Sequence, residues 1–182
     1  MDFLFNKLVM LHTKVFKLVV EYVTGKNENL RERKIQSLSN MIGLYVNEMY
    51  RHIVQYYETD KMGITHHSNY IRWMEEARID FLSQIGWSYA KLEEEGIISP
   101  VVAVECKYMH PTTFADTVDI EVMVREFKGV RLKLKYIMKN DKGVTVGEAC
   151  SEHCFLDEKG IPIRLKQEYP LFYNALVECC SF

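Results

Sequence analysis

The amino-acid sequence predicts an α+β domain in which an antiparallel sheet covers one long helix. Several segments in the second half of the chain alternate apolar and polar residues, as antiparallel strands with one buried face do. A single long segment ahead of them, Ser68–Ile85, instead places its apolar residues at helical spacing. Because that helix is strongly apolar, the sheet must cover it.

The elements around the long helix can be predicted in chain order. Tyr50–Tyr57 is rich in aromatic and β-branched residues and predicts a first strand. Ser68 is the expected N-cap of the long helix and Gly86 its expected stop. A short second helix is predicted over Trp87–Glu95 and a terminal helix over Tyr169–Cys179.

The remaining strands are predicted to form a meander. Four segments are expected to be strands: Val102–Tyr108, Val118–Arg125, Arg131–Met138 and the less regular Val144–Leu156. Glycine-containing turns follow three of them, at Phe127–Gly129, Asn140–Gly143 and Asp157–Gly160. Such short connections favour antiparallel pairing between consecutive strands.

Length and charge indicate one main domain with an N-terminal addition. The 182 residues suffice for one compact domain, and the net charge of -2 gives no support for a nucleic-acid-binding surface. Residues 1–48 show helical periodicity, so we expect an N-terminal helical segment there and the main domain over residues 49–182. The segment is either an amphipathic arm that binds a membrane or a partner, or a helix packed on the main domain, or an upstream stretch that is not always translated, since Met41 and Met49 offer later starts.

Targeting signals and cysteine usage indicate the compartment. Charged residues such as Lys7, Lys14 and Lys17 interrupt the N-terminal apolar stretch, so no membrane span is expected. Met1–Phe5 has an acidic residue and no basic one, unlike the start of a secretory signal. The five cysteines are odd in number and match no zinc spacing. We therefore expect reduced thiols, a cytoplasmic location and no metal.

The segment from Tyr57 to His67 holds the densest cluster of chemically active residue types. Asp60 lies a few residues before the predicted helix, and Gly63 lets the backbone turn sharply or a ligand approach closely. The first turn of the helix presents unpaired N–H groups and the positive end of the helix dipole, which can hold an acyl carbonyl oxygen. Asp60 would then act as a nucleophile or as a general base toward water.

Plainer interpretations of these residues stay open. Asp60 can equally be a turn-capping residue, with His66 and His67 as surface residues. The basic stripe Arg131–Lys135 is either a site for a phosphorylated ligand or the solvated face of a sheet. Adjacent histidines diverge, so His66 and His67 are not expected to hold a metal ion with Asp60.

The string YYETDKMGITHHSNYIRWMEEAR, which starts at Tyr56, resembles the signature of the hot-dog-fold acyl-CoA thioesterases of the 4-hydroxybenzoyl-CoA thioesterase type. The matching features are Asp60, Gly63, His67, Asn69-Tyr70 and Trp73. The order of strand, loop, long helix and antiparallel meander also matches, and the resemblance covers about residues 49–165, nearly all of the main domain.

The resemblance implies a hot-dog fold, in which the sheet wraps around the central helix, and hydrolysis of an acyl-CoA thioester without a cofactor. It implies that Asp60 is the catalytic carboxylate and that the backbone N–H near His67 polarises the thioester carbonyl. Met62, Tyr70 and Trp73 are implied to line the acyl pocket or to pack beneath it, and Gly63 is implied to bind the substrate as well. Thr112, Thr113 and Arg131 are implied to serve a neighbouring subunit's site. Family members pair two sheets side by side, so a homodimer or homotetramer is expected.

Three functions compete at this point. The preferred one is an acyl-CoA thioesterase that uses Asp60, and the second is an acyl-carrier-protein thioesterase. The third is a non-catalytic acyl-CoA-binding regulator whose N-terminal arm recognises DNA. That arm would need a basic recognition helix, whereas residues 1–48 carry 7 basic and 5 acidic residues, and Asp60 is present.

Overall fold

The computed structural model describes residues 48–180, which contain a five-stranded antiparallel sheet. The strands are β1 (Tyr50–Ile53), β2 (Val101–Tyr108), β3 (Thr117–Lys128), β4 (Arg131–Asn140) and β5 (Thr145–Cys154). Their order across the sheet is β1-β3-β4-β5-β2, and each neighbouring pair is antiparallel. The predicted α+β class is confirmed, and β3, β4 and β5 form the predicted meander. The prediction is wrong for β2, which pairs with β5 and not with β3, the next strand in sequence. The N-terminal helical segment lies outside the described residues except for Glu48 and stays a prediction.

The helices are α1 (His67–Gln84), α2 (Tyr89–Glu94), α3 (Leu165–Glu168) and α4 (Pro170–Glu178). One face of α1 is buried in the core, with Trp73, Ala77 and Phe81 packed among apolar residues of the sheet. None of the helices within residues 48–180 is both long and apolar enough to cross a membrane.

The first strand is shorter than predicted. β1 ends at Ile53, and Tyr56–Glu58 forms a 3₁₀ turn instead of continuing the strand. The Glu58 N–H donates to the Gln55 carbonyl, and the Glu58 carboxylate accepts from the Gln55 N–H. These two bonds close the turn and direct the chain away from the sheet, so the prediction over Tyr50–Tyr57 is wrong beyond Ile53.

The ends of α1 differ in how well they were predicted. Its N-cap is His66 and not Ser68, because the His66 Nδ1 accepts from the Ser68 N–H and the Ser68 side chain lies inside the first turn. Gly86 does terminate the helix, with a φ of 80°. The N–H groups of Gly86 and Trp87 donate back to the carbonyls of Ser83 and Leu82, which is the Schellman arrangement that favours glycine.

Strand β2 has no buried face, contrary to the alternation predicted over Val102–Tyr108. It lies at the edge of the sheet, paired only with β5 among the described strands, and its residues are exposed on both sides apart from the half-buried Cys106. Several of the exposed side chains are large and apolar: Val101, Val102, Val104 and Tyr108. A strand whose outer edge is unpaired and whose faces are apolar is a template for pairing with another chain.

A chain of hydrogen bonds crosses the core beneath α1. The Tyr136 hydroxyl lies 2.8 Å from the Ser151 hydroxyl, which lies 2.6 Å from the His153 Nε2. His153 is only 1% exposed, and its Nδ1 has no partner within residues 48–180. Burial, together with the Arg78 charge, lowers the pKa of His153 to about 3. The imidazole is therefore neutral in the folded protein at any ordinary pH.

We expect this buried histidine to make the fold sensitive to acid. Between pH 6.5 and pH 3 the unfolded chain binds a proton at His153 and the folded chain does not, so stability falls as the pH falls through this window. The group contributes a slope of about 1.4 kcal/mol per pH unit. Urea unfolding from pH 7.5 to pH 4.5 should show a shallower dependence in His153→Gln than in wild type. Parallel curves would contradict this assignment.

Candidate active site

The loop between the 3₁₀ turn and α1 is a tight turn headed by Asp60. The Asp60 N–H donates to the Ile64 carbonyl and the Gly63 N–H donates to the Asp60 carbonyl, each at 2.9 Å. The Asp60 Oδ1 accepts from the Met62 N–H at 2.7 Å. Gly63 has a φ of 77°, which only glycine adopts without strain. Asp60 therefore does cap a turn, as the plainer interpretation held.

The same turn occurs twice more within residues 48–180. Asn140–Val144 and Asp157–Ile161 repeat both backbone hydrogen bonds of Asp60–Ile64, and a glycine with positive φ holds the fourth position in all three. In those two turns the side-chain oxygen of the first residue accepts from two N–H groups. Asp60 accepts from one only, the Met62 N–H, among the described residues. The side chain of the half-buried Asp60 thus makes fewer hydrogen bonds within its turn than the side chains of Asn140 and Asp157 make within theirs.

The N-terminus of α1 follows the Asp60 turn directly. The N–H groups of His66, Ser68 and Asn69 are paired, whereas the His67 N–H has no acceptor within the described part of the chain. His67 is exposed, and its carbonyl accepts from the Tyr108 hydroxyl at 3.2 Å. A free N–H at the positive end of a helix dipole is a donor suited to developing negative charge.

Buried hydroxyl groups fasten the end of the loop to the chain after β2. The Thr65 N–H donates to the Thr112 carbonyl at 2.8 Å, and the two threonine hydroxyls lie 2.7 Å apart. The Tyr70 hydroxyl lies 3.1 Å from the Thr112 Oγ1. Thr112 is thus buried inside its own chain, where it supports the loop, and the expectation that it serves a neighbouring subunit is wrong.

A buried carboxylate, Glu58, fastens the start of the loop. Its Oε2 lies 2.9 Å from the His52 Nε2 and 2.7 Å from the Gln55 N, and its Oε1 accepts from the Trp73 Nε1 at 2.7 Å. Burial raises the pKa of Glu58, but the hydrogen bonds from His52, Gln55 and Trp73 outweigh it and hold the pKa below its ordinary value. Glu58 is therefore ionised at neutral pH.

The other predicted site residues lie in different surroundings. Tyr70 and Trp73 are buried and pack beneath the loop, whereas the Met62 side chain is 74% exposed. Arg131 is the first residue of β4 and pairs with Cys154 of β5. Met138, seven residues further along β4, pairs with Gly147 of β5, which in turn pairs with Tyr108 of β2. At about 3.3 Å per residue this is roughly 23 Å along the strand, so one chain does not bring Arg131 to Asp60.

One residue of the basic stripe on β4, Lys133, is engaged in ion pairs. The Lys133 Nζ lies 2.8 Å from the Glu152 Oε1 and 3.9 Å from the Glu126 Oε2. This favours the solvated sheet face over a phosphate site for that residue. No cluster of three or more His, Cys, Asp or Glu side chains within residues 48–180 is placed to hold a metal ion.

A comparison with protein-family models identifies the family of this chain. Residues 54–170 match the model of the Thioesterase-like superfamily, a span that contains the Asp60 turn, α1 and four of the five strands. The chain belongs to the Thioesterase-like superfamily. The expected hot-dog fold and thioester-hydrolase class are thereby confirmed at the level of this superfamily, although the narrower 4-hydroxybenzoyl-CoA thioesterase family is not.

Individual members of the Thioesterase-like superfamily agree with this placement. The chain is 31% identical over 123 residues to the Bacillus subtilis protein YneP, covering 67% of this chain and 89% of YneP. It is 25% identical to a 1,4-dihydroxy-2-naphthoyl-CoA hydrolase from Thermosynechococcus vestitus, over 59% of this chain and 74% of that protein. The crystal structure of a DHNA-CoA thioesterase from Staphylococcus aureus superposes with a TM-score of 0.69 at 32% identity, covering 72% and 89% of the two chains.

The sequence interpretation missed how Glu58 and Thr112 hold the Asp60 loop in place. Glu58 was visible only as an acidic residue in an aromatic segment, and its partner His52 lies six residues earlier in the strand. Nothing in a single sequence separates a buried glutamate from an exposed one. The resemblance implied a role for Thr112 in a neighbouring subunit's site, but nothing in the sequence indicated that this residue holds the loop of its own chain.

Proposed function

We propose that the protein hydrolyses acyl-CoA thioesters to free acid and CoA, with Asp60 as general base or nucleophile. The observation that carries this proposal is a carboxylate with one hydrogen bond, at Asp60, seven residues before a helix N–H that has no acceptor among the described residues, at His67. Relatives that act on a CoA thioester, the Thermosynechococcus hydrolase and the Staphylococcus thioesterase, support the substrate class.

The chemistry needs two things from the protein. Attack on the thioester carbonyl by water, or by the Asp60 carboxylate, puts negative charge on the carbonyl oxygen, and the His67 N–H would hold that charge. When water attacks, Asp60 takes its proton; when Asp60 attacks, a mixed anhydride forms and water then cleaves it. In both routes the carbon–sulfur bond breaks and the CoA sulfur leaves as a thiolate that is then protonated.

A panel of acyl-CoA substrates with detection of the free thiol tests the proposal. We expect turnover on at least one class, with aromatic, short-chain and long-chain acyl groups compared at equal concentration. The same acyl groups on acyl-carrier protein distinguish the carrier-protein thioesterase, which would show a higher kcat/KM there. Binding of acyl-CoA without turnover of any substrate would contradict the proposal and favour the non-catalytic regulator.

We further propose that the protein acts as a homo-oligomer paired through β2. What supports this is the outer edge of β2, which no other described strand pairs with, and the exposed apolar side chains of this strand. Two copies related by a twofold axis pair such edges antiparallel, so the Val101 end of one strand meets the Tyr108 end of the other. Within one copy, Arg131 pairs with Cys154 of β5, and Val101 pairs with the adjacent His153, so Arg131 lies near the Val101 end of β2. The pairing would thus carry Arg131 toward the Asp60 loop of the neighbouring copy.

A charge on the β2 edge is expected to separate the copies. Val104→Lys places an ammonium group on this strand, where lysine opposes edge-to-edge pairing. Light scattering after size exclusion should show half the wild-type mass, together with reduced turnover. Leu171→Lys, on the exposed face of α4, is the matched control and should keep the wild-type mass. A Val104→Lys protein with unchanged mass would refute pairing through this edge.

A further inference from the structure

We propose that Glu58 is the positioning residue of the Asp60 loop, because among residues 48–180 it alone contacts both ends of that loop, β1 and α1. The inference rests on the proposed role of Asp60 and extends it to a group that does not touch substrate. Glu58 is only 4% exposed, so its carboxylate is not available to a reacting thioester.

The side chain of Glu58 joins three separate parts of the structure. Its carboxylate accepts from Trp73 on α1 and from the Gln55 N–H, and it contacts His52 on β1. Bonds from N–H donors to an ionised acceptor are shorter and about twice as strong as neutral ones. The buried carboxylate therefore fixes the point where the chain leaves the sheet to enter the loop.

The backbone of the same residue holds the return of the loop. The Glu58 carbonyl accepts from the His66 N–H at 2.8 Å and from the Asn69 Nδ2 at 2.7 Å. The chain thus leaves at Glu58 and comes back to Glu58 after eight residues, with the Asp60 turn between. The separation between the Asp60 carboxylate and the His67 N–H is set by this closure.

A second layer of contacts holds the partner of Glu58. The His52 Nδ1 lies 3.3 Å from the Glu76 Oε2, which accepts from the Tyr50 hydroxyl at 3.0 Å. The His52 ring also stacks on Trp73, with ring centroids 4.6 Å apart. No hydrogen bond or ion pair joins His52 or Glu76 to residues 59–64 within the described part of the chain, so the network acts on catalysis only through the position of the loop.

Kinetics of Glu58 variants test the proposal. Misplacing a reacting group by about 1 Å can cost roughly 10²-fold in rate, so Glu58→Ala should lower kcat by about that factor and leave KM within about three-fold. Glu58→Gln keeps the shape and part of the bonding and should recover about ten-fold of that loss. Ser151→Ala is the matched control, because it also breaks a buried hydrogen-bond chain but lies away from the loop. It should lower stability and leave kcat unchanged.

Amide hydrogen exchange supplies a readout that does not depend on turnover. In Glu58→Gln and Glu58→Ala the amides of Gly63, Thr65 and His66 should exchange at least about ten-fold faster, and in Ser151→Ala they should not. A Glu58→Ala protein with wild-type kcat would overturn the proposal. So would a Ser151→Ala protein that loses as much stability and as much kcat as the Glu58 variant. Should the wild-type protein hydrolyse no thioester, the proposed function fails, and unchanged loop exchange would overturn the positioning role separately.

Discussion

Asp60→Asn is expected to lower kcat for acyl-CoA hydrolysis by about 10³-fold while the fold stays intact. Asparagine has the shape of aspartate but neither its basicity nor its nucleophilicity, so both proposed routes lose their acting group. Its side-chain oxygen can still accept from the Met62 N–H. The protein itself shows that asparagine suits this turn, because Asn140 heads the same turn between β4 and β5.

The chain also offers a matched control for this variant. Asp157 heads the third copy of the turn, so Asp157→Asn makes the same chemical change in the same backbone setting, away from α1. Steady-state kinetics by free-thiol detection should show wild-type turnover for Asp157→Asn, and thermal melts of both variants should match wild type closely. An Asp60→Asn protein that retains wild-type turnover on every productive substrate would remove Asp60 from the mechanism.

His67→Pro is expected to lower kcat by about 10²–10³-fold, the usual cost of losing one oxyanion donor. Proline has no N–H, and His67 is the first residue of α1, the position at which a helix tolerates proline best. The preceding residue, His66, has φ -65° and ψ 132°, which is the extended conformation that a following proline requires. The His67 N–H has no acceptor among the described residues, so the substitution breaks no hydrogen bond there.

The comparison with His67→Ala separates the backbone from the imidazole. Alanine removes the ring and keeps the N–H, so it should lose far less activity than proline if the backbone is the acting group. Circular dichroism should show equal helix content in the two variants, since α1 starts unchanged. Equal losses of kcat in the two proteins would assign the effect to the side chain and exclude the proposed N–H donor.

Those features of the fold that depend on local pattern could be predicted from the sequence. Apolar spacing over Ser68–Ile85 located α1 to within a residue at each end, and Gly86 marked its stop. The Asp-x-x-Gly spacing located the turn of Asp60 because the glycine must adopt a positive φ. The segments in which apolar and polar residues alternate located β3 and β4, because each of these strands buries one face.

Features that depend on partners distant in sequence were not predictable. Alternation over Val102–Tyr108 indicated a buried face, yet β2 lies at the sheet edge and nothing in the described chain covers it. Tyr56 and Tyr57 favoured a strand, but the Glu58 carboxylate reached back to Gln55 and closed a turn. The roles of Glu58 and Thr112 arise from contacts with His52, Trp73 and Thr65 that no local pattern records.

The repeated turn bears on how this protein can acquire new specificities. The residues between the first aspartate or asparagine and the glycine are Lys61-Met62, Asp141-Lys142 and Glu158-Lys159. The last two pairs both join an acidic residue to lysine, whereas the first joins lysine to methionine, and the backbone hydrogen bonds are the same in all three. The turn therefore accepts different side chains at positions 61 and 62, although both are within two residues of Asp60. Variation there is inexpensive for stability, so descendants of this chain can adapt the entrance of the site to a new acyl group without rebuilding the loop that carries Asp60.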